Sequence, residues 1–155
     1  MHEAFLQRSV DIASDGVRFG QGGPYGAVIV KDGRIIAESG NLVTQRLDPT
    51  AHAEISAIRQ ACLSLQSFQL VGCTLYCSCE PCPMCLGAIY WSRLDRVFFA
   101  CSRDDAADAG FDDKFIYEQL DLAPVQRSIV MTQLEIPEAA LPFRLWRQKV
   151  DKVFY

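Results

Sequence analysis

The chain has 155 residues, half of them hydrophobic, with a net charge of -4 and a pI of about 5.1. That size and apolar share suit one domain with a buried core, and the acidic balance offers no field to attract phosphate backbones or anionic lipid, so a small, weakly charged substrate fits better. No apolar run approaches a membrane span and the amphipathic start "MHEAFLQRSVDIASDG" is not a secretory leader, so a cytoplasmic setting with reduced thiols is expected, and seven cysteines point to metal binding or catalysis rather than a disulfide framework.

Leu6, Val10, Ala13 and Val17 recur at helical spacing and predict a first helix over residues 2–19, ended by the glycines from Gly20 to Gly23. "YGAVIVKDGRIIAESG" reads as two β-branched runs joined by Asp32-Gly33, a hairpin signal. In "LDPTAHAEISAIRQACLSL", Asp48 is placed as a helix N-cap with Pro49 at the first helical position, and Ile55, Ile58 and Cys62 fall on one side. "CTLYCS" then predicts a strand, "PCPMCLGAIYWSR" a helix opened near Pro81, and "RVFFAC" another strand. "SIVMTQL" is a further strand candidate, and Phe143, Trp146, Val150 and Val153 mark a C-terminal amphipathic helix. Strands interleaved with helices predict a layered α/β domain around a largely buried sheet, with residues 1–155 forming one domain.

Two short motifs carry the chemistry, each beside a proline-marked helix start. His52 and Glu54 stand in "HAE", and Cys82 and Cys85 in "PCPMC". Cysteines three apart in a helical turn project from nearly one face, and the helix dipole favours their thiolate form, so both sulfurs can hold one ion. One imidazole makes three protein ligands and leaves the fourth tetrahedral position for a water or hydroxide, the pattern of a catalytic zinc. Glu54, about 200° around the helix from His52, need not coordinate. H-x-E with P-C-x-x-C is the signature of the zinc deaminases, in which the glutamate carries protons between water, ring and departing amine.

The rival reading is an iron-sulfur cluster, because Cys79, Cys82 and Cys85 also satisfy C-x2-C-x2-C. Ile89 stands where the bacterial ferredoxin run wants a fourth cysteine, and Cys101 is the substitute. Cys62, Cys73, Cys77 and Cys101 read as packing residues, and His2 as a solvated terminal histidine.

The stretches "GGPYGAVIVKDGRIIAE", "LDPTAHAE", "SCEPCPMCLGAIYWSR" and "AGFDDKFIY", with the aromatic C-terminus, resemble the bacterial guanine deaminases of the cytidine deaminase-like superfamily. The zinc motif marks the superfamily; "AGFDD", "FIY" and the terminal "FY" mark the guanine branch. The resemblance implies a three-layer α/β/α sandwich with a five-stranded mixed sheet, one zinc per subunit, and hydrolysis of guanine to xanthine and ammonia. Another nucleobase, a nucleoside, a triazine or a tRNA adenosine is the alternative substrate. It further implies that Tyr25 lines the base pocket, where relatives carry phenylalanine, and that Asn41 hydrogen-bonds the purine. Asp113 is implied to help ammonia leave, and Tyr155 to close the site of a partner subunit in a homodimer that exchanges its C-terminal segment. From the residues alone, Asn41 also fits a Gly-Asn turn. Asp113 likewise fits a solvated acidic loop with Asp104, Asp105, Asp108 and Asp112, and Tyr155 a frayed terminus.

Overall fold

The computed structural model describes residues 1–111 and 113–155, and divides into two compact units, residues 1–116 and 117–155. The first unit contains the sheet. Its strands are β1 (Gly26–Lys31), β2 (Arg34–Gly40), β3 (Cys73–Cys79) and β4 (Arg96–Cys101), in the order β2-β1-β3-β4. β1 is antiparallel to both β2 and β3, whereas β3 and β4 are parallel, so the sheet is mixed. Asp32 and Gly33 turn the β1–β2 hairpin with φ of 50° and 74°, the paired left-handed geometry that makes Asp-Gly so strong a turn signal.

Helices cover both faces. Side chains alternate across a strand, so Val28, Val30 and Tyr76 meet Phe5, Leu6 and Ile12 of α1 (His2–Arg18) on one face. Ala27, Ile29, Leu75 and Cys77 face the opposite way and pack with Ala53, Ala57, Ile58 and Ala61 of α3 (Ala53–Leu65) and Ile89 of α4 (Pro83–Trp91). This is the expected α/β/α sandwich. Alanines at every fourth position of α3 bring its backbone close to the sheet, which places the N-terminal end of that helix accurately. Gly26 does the same for α1: a Cβ there would lie 2.1 Å from the Ser9 carbonyl oxygen. Shorter helices complete the fold: α2 (Val43–Arg46), α5 (Arg103–Asp108), α6 (Asp113–Leu120) and α7 (Leu141–Gln148).

Several expectations are corrected. Among the described residues the sheet has four strands, not five. The run "SIVMTQL" at 128–134 pairs with no strand, and its Ile129 and Leu134 are 80% and 79% exposed. β-branched composition marks a segment able to enter a sheet but does not supply the partner edge that makes it a strand. The C-terminal helix ends at Gln148, with Lys149 already extended, so Val150 and Val153 lie beyond it; Trp146 instead meets Phe154 edge to face at 6.1 Å. His2 is exposed as expected but not without partners: its Nδ1 lies 2.7 Å from the Tyr76 hydroxyl, and its ring packs on Phe98. Cys101 is exposed rather than packed.

Candidate active site

Both motif helices start later than their prolines suggest. Asp48 does not cap α3. Its Oδ1 accepts from the Thr50 backbone N–H at 2.8 Å and from the Thr50 hydroxyl at 2.7 Å, closing a turn that contains Pro49. The cap position falls to His52, whose extended backbone (φ -61°, ψ 158°) precedes α3 and whose carbonyl accepts the first helical bond from Ser56 N–H at 2.9 Å. α4 repeats the arrangement. Cys82 is its N-cap (φ -67°, ψ 168°), Pro83 rather than Pro81 occupies the first helical position, and the Cys82 carbonyl accepts from Leu86 N–H at 2.8 Å. Because His52 precedes its helix, the helical-wheel separation of His52 and Glu54 does not apply.

These two caps, with Cys85 one turn into α4, converge. His52 Nδ1 lies 3.6 Å from Cys82 Sγ and 3.5 Å from Cys85 Sγ, and one ligand atom from each of the three residues lies within 4.8 Å of the others. A tetrahedral zinc with ordinary Zn–S and Zn–N lengths separates its sulfur and nitrogen donors by about 3.6 Å, so the donor set fits that ion. The protonation pattern agrees. Cys82 is pulled down to about 4, first by the Cys85 thiol donating to it and further by His52, while that same hydrogen bond and burial hold Cys85 up. His52 is raised, chiefly by Cys82. A cation replaces the shared proton of this pair directly. Cys79 is outside the cluster: its thiol donates to the Ser102 carbonyl at 3.3 Å and burial raises it to about 11, which removes the three-cysteine iron-sulfur reading.

Glu54 is buried at 5% exposure beside the donors, with its carboxyl hydrogen-bonded to Cys85 and raised to about 7, chiefly by burial. A cavity of about 620 Å³ opens onto it and is lined by Tyr25, Asn41, His52, Glu54, Cys82 and Asp113 together, with Gly20, Gly22 and Gly23. The Asn41 backbone N–H donates to the Tyr25 carbonyl at 3.1 Å, and its side-chain Oδ1 accepts from Val43 N–H at 3.2 Å. The turn and binding roles of Asn41 are therefore compatible, since the amide nitrogen is the end left to donate to a ligand. Burial, with Asp113 second, raises Tyr25 well above the usual phenol value, so its hydroxyl stays protonated.

Sequence reading did not single out Phe111, Thr44, Ile116 or Glu80, which also line the cavity. Phe111 meets Tyr25 edge to face at 5.1 Å. Its position inside "AGFDD", two residues before Asp113, was the available signal. Of the acidic run, Asp105 is committed to a capping box with Ser102 and Asp112 lies outside the described residues. Tyr155 belongs to the second unit and is exposed.

A three-donor zinc site at two helix caps, with a buried carboxyl beside it on an α/β/α sandwich, defines a zinc-dependent aminohydrolase. Residues 1–101 match the family model described as the cytidine and deoxycytidylate deaminase zinc-binding region, and the chain belongs to that family. Over 154 residues it is 56% identical to guanine deaminase of Bacillus subtilis, covering 99% of both chains. The crystal structure of that protein superposes with a TM-score of 0.98 at 55% identity, over 100% of this chain and 99% of that one. A tRNA-specific adenosine deaminase of Aquifex aeolicus is 49% identical over 77 residues only, about half of each chain (50% and 51%). A guanine deaminase structure from Nitrosomonas europaea superposes with a TM-score of 0.67 at 31% identity, covering 72% of this chain and 64% of that one.

Proposed function

We propose that the protein hydrolyses guanine to xanthine and ammonia, taking a free base rather than a base in tRNA. The observation that carries this reading is the full-length likeness to a guanine deaminase, against partial likeness to the tRNA enzymes, which covers 50% of this chain in one and 64% in another. Electrostatics support it. Glu54, Glu80 and Asp113 line the cavity, and among its described lining residues none is Lys or Arg, so nothing there receives a phosphate.

In this reading His52, Cys82 and Cys85 hold zinc, which supplies a Lewis acid that ionises water near neutral pH. The chain's own groups do the rest. Tyr25 and Phe111 provide the apolar wall for the purine, and the Asn41 amide N–H donates to its edge. Glu54 accepts a proton from the attacking water and delivers it to the ring nitrogen beside C2 as the C2–O bond forms. It then carries a proton to the amino group, with Asp113 assisting, so that the C2–N bond breaks to release ammonia.

The same proposal places the protein in the cytoplasm as one functional domain, assembled as a homodimer in which Tyr155 of each subunit reaches the other's site through exchanged C-terminal segments. None of the seven cysteines is in a disulfide, which is compatible with a reducing compartment, and among the described residues no helix is long and apolar enough to cross a membrane. α4 is apolar nearly all round, with Tyr90 and Trp91 71% and 62% exposed, which suits burial against a second copy.

Ammonia release by the zinc-loaded protein on guanine, guanosine, adenine, cytosine and cytidine tests the reading. Xanthine from guanine as the preferred reaction supports it. Preference for another substrate retains the zinc chemistry and discards the pocket assignment. A monomeric mass with full activity removes the dimer.

A further inference from the structure

Glu80 stands two residues before the zinc ligand Cys82 and lines the same cavity as His52, Glu54 and Cys82, yet the reaction as derived does not use it. Its carboxylate is held from one direction. Arg103, the first residue of α5, donates Nη2–H to Oε1 at 2.8 Å, Nε–H to Oε2 at 3.3 Å and its backbone N–H to Oε2 at 3.1 Å. The Glu80 N–H donates to the Cys101 carbonyl at 2.9 Å, so the peptide entering the Cys82 cap is tied by its backbone to the end of β4 and by the Glu80 side chain to the start of α5.

A paired guanidinium and carboxylate that remain 40% and 21% exposed add little to folding stability. Their effect is on placement. Carboxylate oxygen is a good zinc donor, and an anion on a cavity wall next to a three-ligand dication is drawn toward the remaining position. Arginine, with its planar fork, is the side chain able to take both oxygens at once. We propose that Arg103 is a positioning residue: by engaging both oxygens of Glu80 it keeps that carboxylate from becoming a fourth protein ligand and so keeps the metal's substrate position open. The inference rests on the assignment of His52, Cys82 and Cys85 to zinc.

The test is Arg103→Gln in cobalt-substituted and zinc-loaded protein. The visible cobalt bands should shift, zinc release to a competing chelator should slow, and kcat on guanine should fall about 10- to 100-fold, the usual range for partners outside the ligand set. Arg103→Gln combined with Glu80→Gln should return the spectrum and the release rate to wild type. General loosening of the site would instead speed zinc release and would not be reversed by the second change. An unshifted cobalt spectrum, faster zinc release, or a double variant as altered as the single one overturns the proposal. Should Arg103→Gln not fold, Arg103→Lys is read the same way, since lysine makes only a single-point contact. The cobalt spectrum is read without substrate, so absence of guanine turnover in the wild type would count against the proposed function and not against this inference.

Discussion

His52 and Cys82 occupy equivalent positions in two different helices: each is the extended residue just before the first turn, and their ligand atoms stand 3.6 Å apart. The metal site is therefore built where two helices begin, with Cys85 as the one ligand inside a helix.

Cys82→Ala should abolish stoichiometric zinc, read by elemental analysis of the purified protein. The sheet core of Ala27, Ile29, Leu75 and Cys77 does not depend on that sulfur, so far-ultraviolet circular dichroism should still report a folded α/β protein. Loss of all secondary structure would show that the ion is needed for folding as well as for chemistry.

Glu54→Gln should keep zinc and lose about two to four orders of magnitude in kcat, the usual scale for general acid/base catalysis. The amide is nearly isosteric, so metal content and melting temperature serve as controls. Wild-type turnover would refute the proton-transfer role.

Gly26→Ala should destabilise the protein by about 2 kcal/mol or more, because the new Cβ meets backbone on α1, the Ser9 oxygen at 2.1 Å and the Ala13 nitrogen at 2.9 Å. Gly33→Ala is the contrast: nothing among the described residues lies within 4 Å of the new Cβ, and the left-handed backbone at φ 74° opposes it, at about 1 kcal/mol. Urea unfolding of the two variants should rank them in that order.

Ser56→Ala should raise stability by about 1 kcal/mol. Its hydroxyl is buried in α3 with no hydrogen-bond partner among the described residues, so removal relieves a desolvated polar group without losing a bond. Thermal denaturation at neutral pH reads the shift directly.

The Arg8–Glu38 pair joins α1 to β2, and the Arg8 hydrogen bonds lower Glu38 below its ordinary value. A carboxyl with a depressed folded value stabilises the fold above its unfolded value, about 4.3, and the contribution disappears as pH falls through the folded value. The stability difference between wild type and Glu38→Gln should thus be present at pH 7 and vanish in acid. Both groups are partly exposed, so salt should shrink it as well. A difference that grew on acidification would contradict the assignment.

Much of the layer plan was legible because it rests on local signals. Helical spacing through Leu6 and Ala13 gave α1 to within a residue of its end, and Asp32-Gly33 fixed the hairpin. The metal ligands were legible because zinc chemistry needs those residue types at short spacing. Helix starts were misplaced where two local devices compete for one proline: at Pro49 the Asp48 turn wins, and helix formation waits until His52. Phe111 and Glu80 were missed for a different reason: each stands two residues from a motif residue, Asp113 and Cys82, but a cavity wall is assembled from several elements and nearness in sequence does not say which side chains face it. "SIVMTQL" failed because a strand is a property of a pair.

Mounting His52 and Cys82 on helix caps has a consequence for how such an enzyme can diversify. The residues that hold the ion depend on the seating of α3 and α4, whereas much of the cavity wall comes from the short helix α2 at Thr44 and from the connections that carry Asn41 and Phe111. Those segments supply none of the three metal ligands, so they can be varied with His52, Cys82 and Cys85 left in place, provided the Leu42 N–H bond to the Ala51 carbonyl at 2.9 Å is kept. Grafting alternative segments at 41–47 and 109–112 is therefore the direct engineering route to a hydrolase with the same metal chemistry and a different choice of heterocycle.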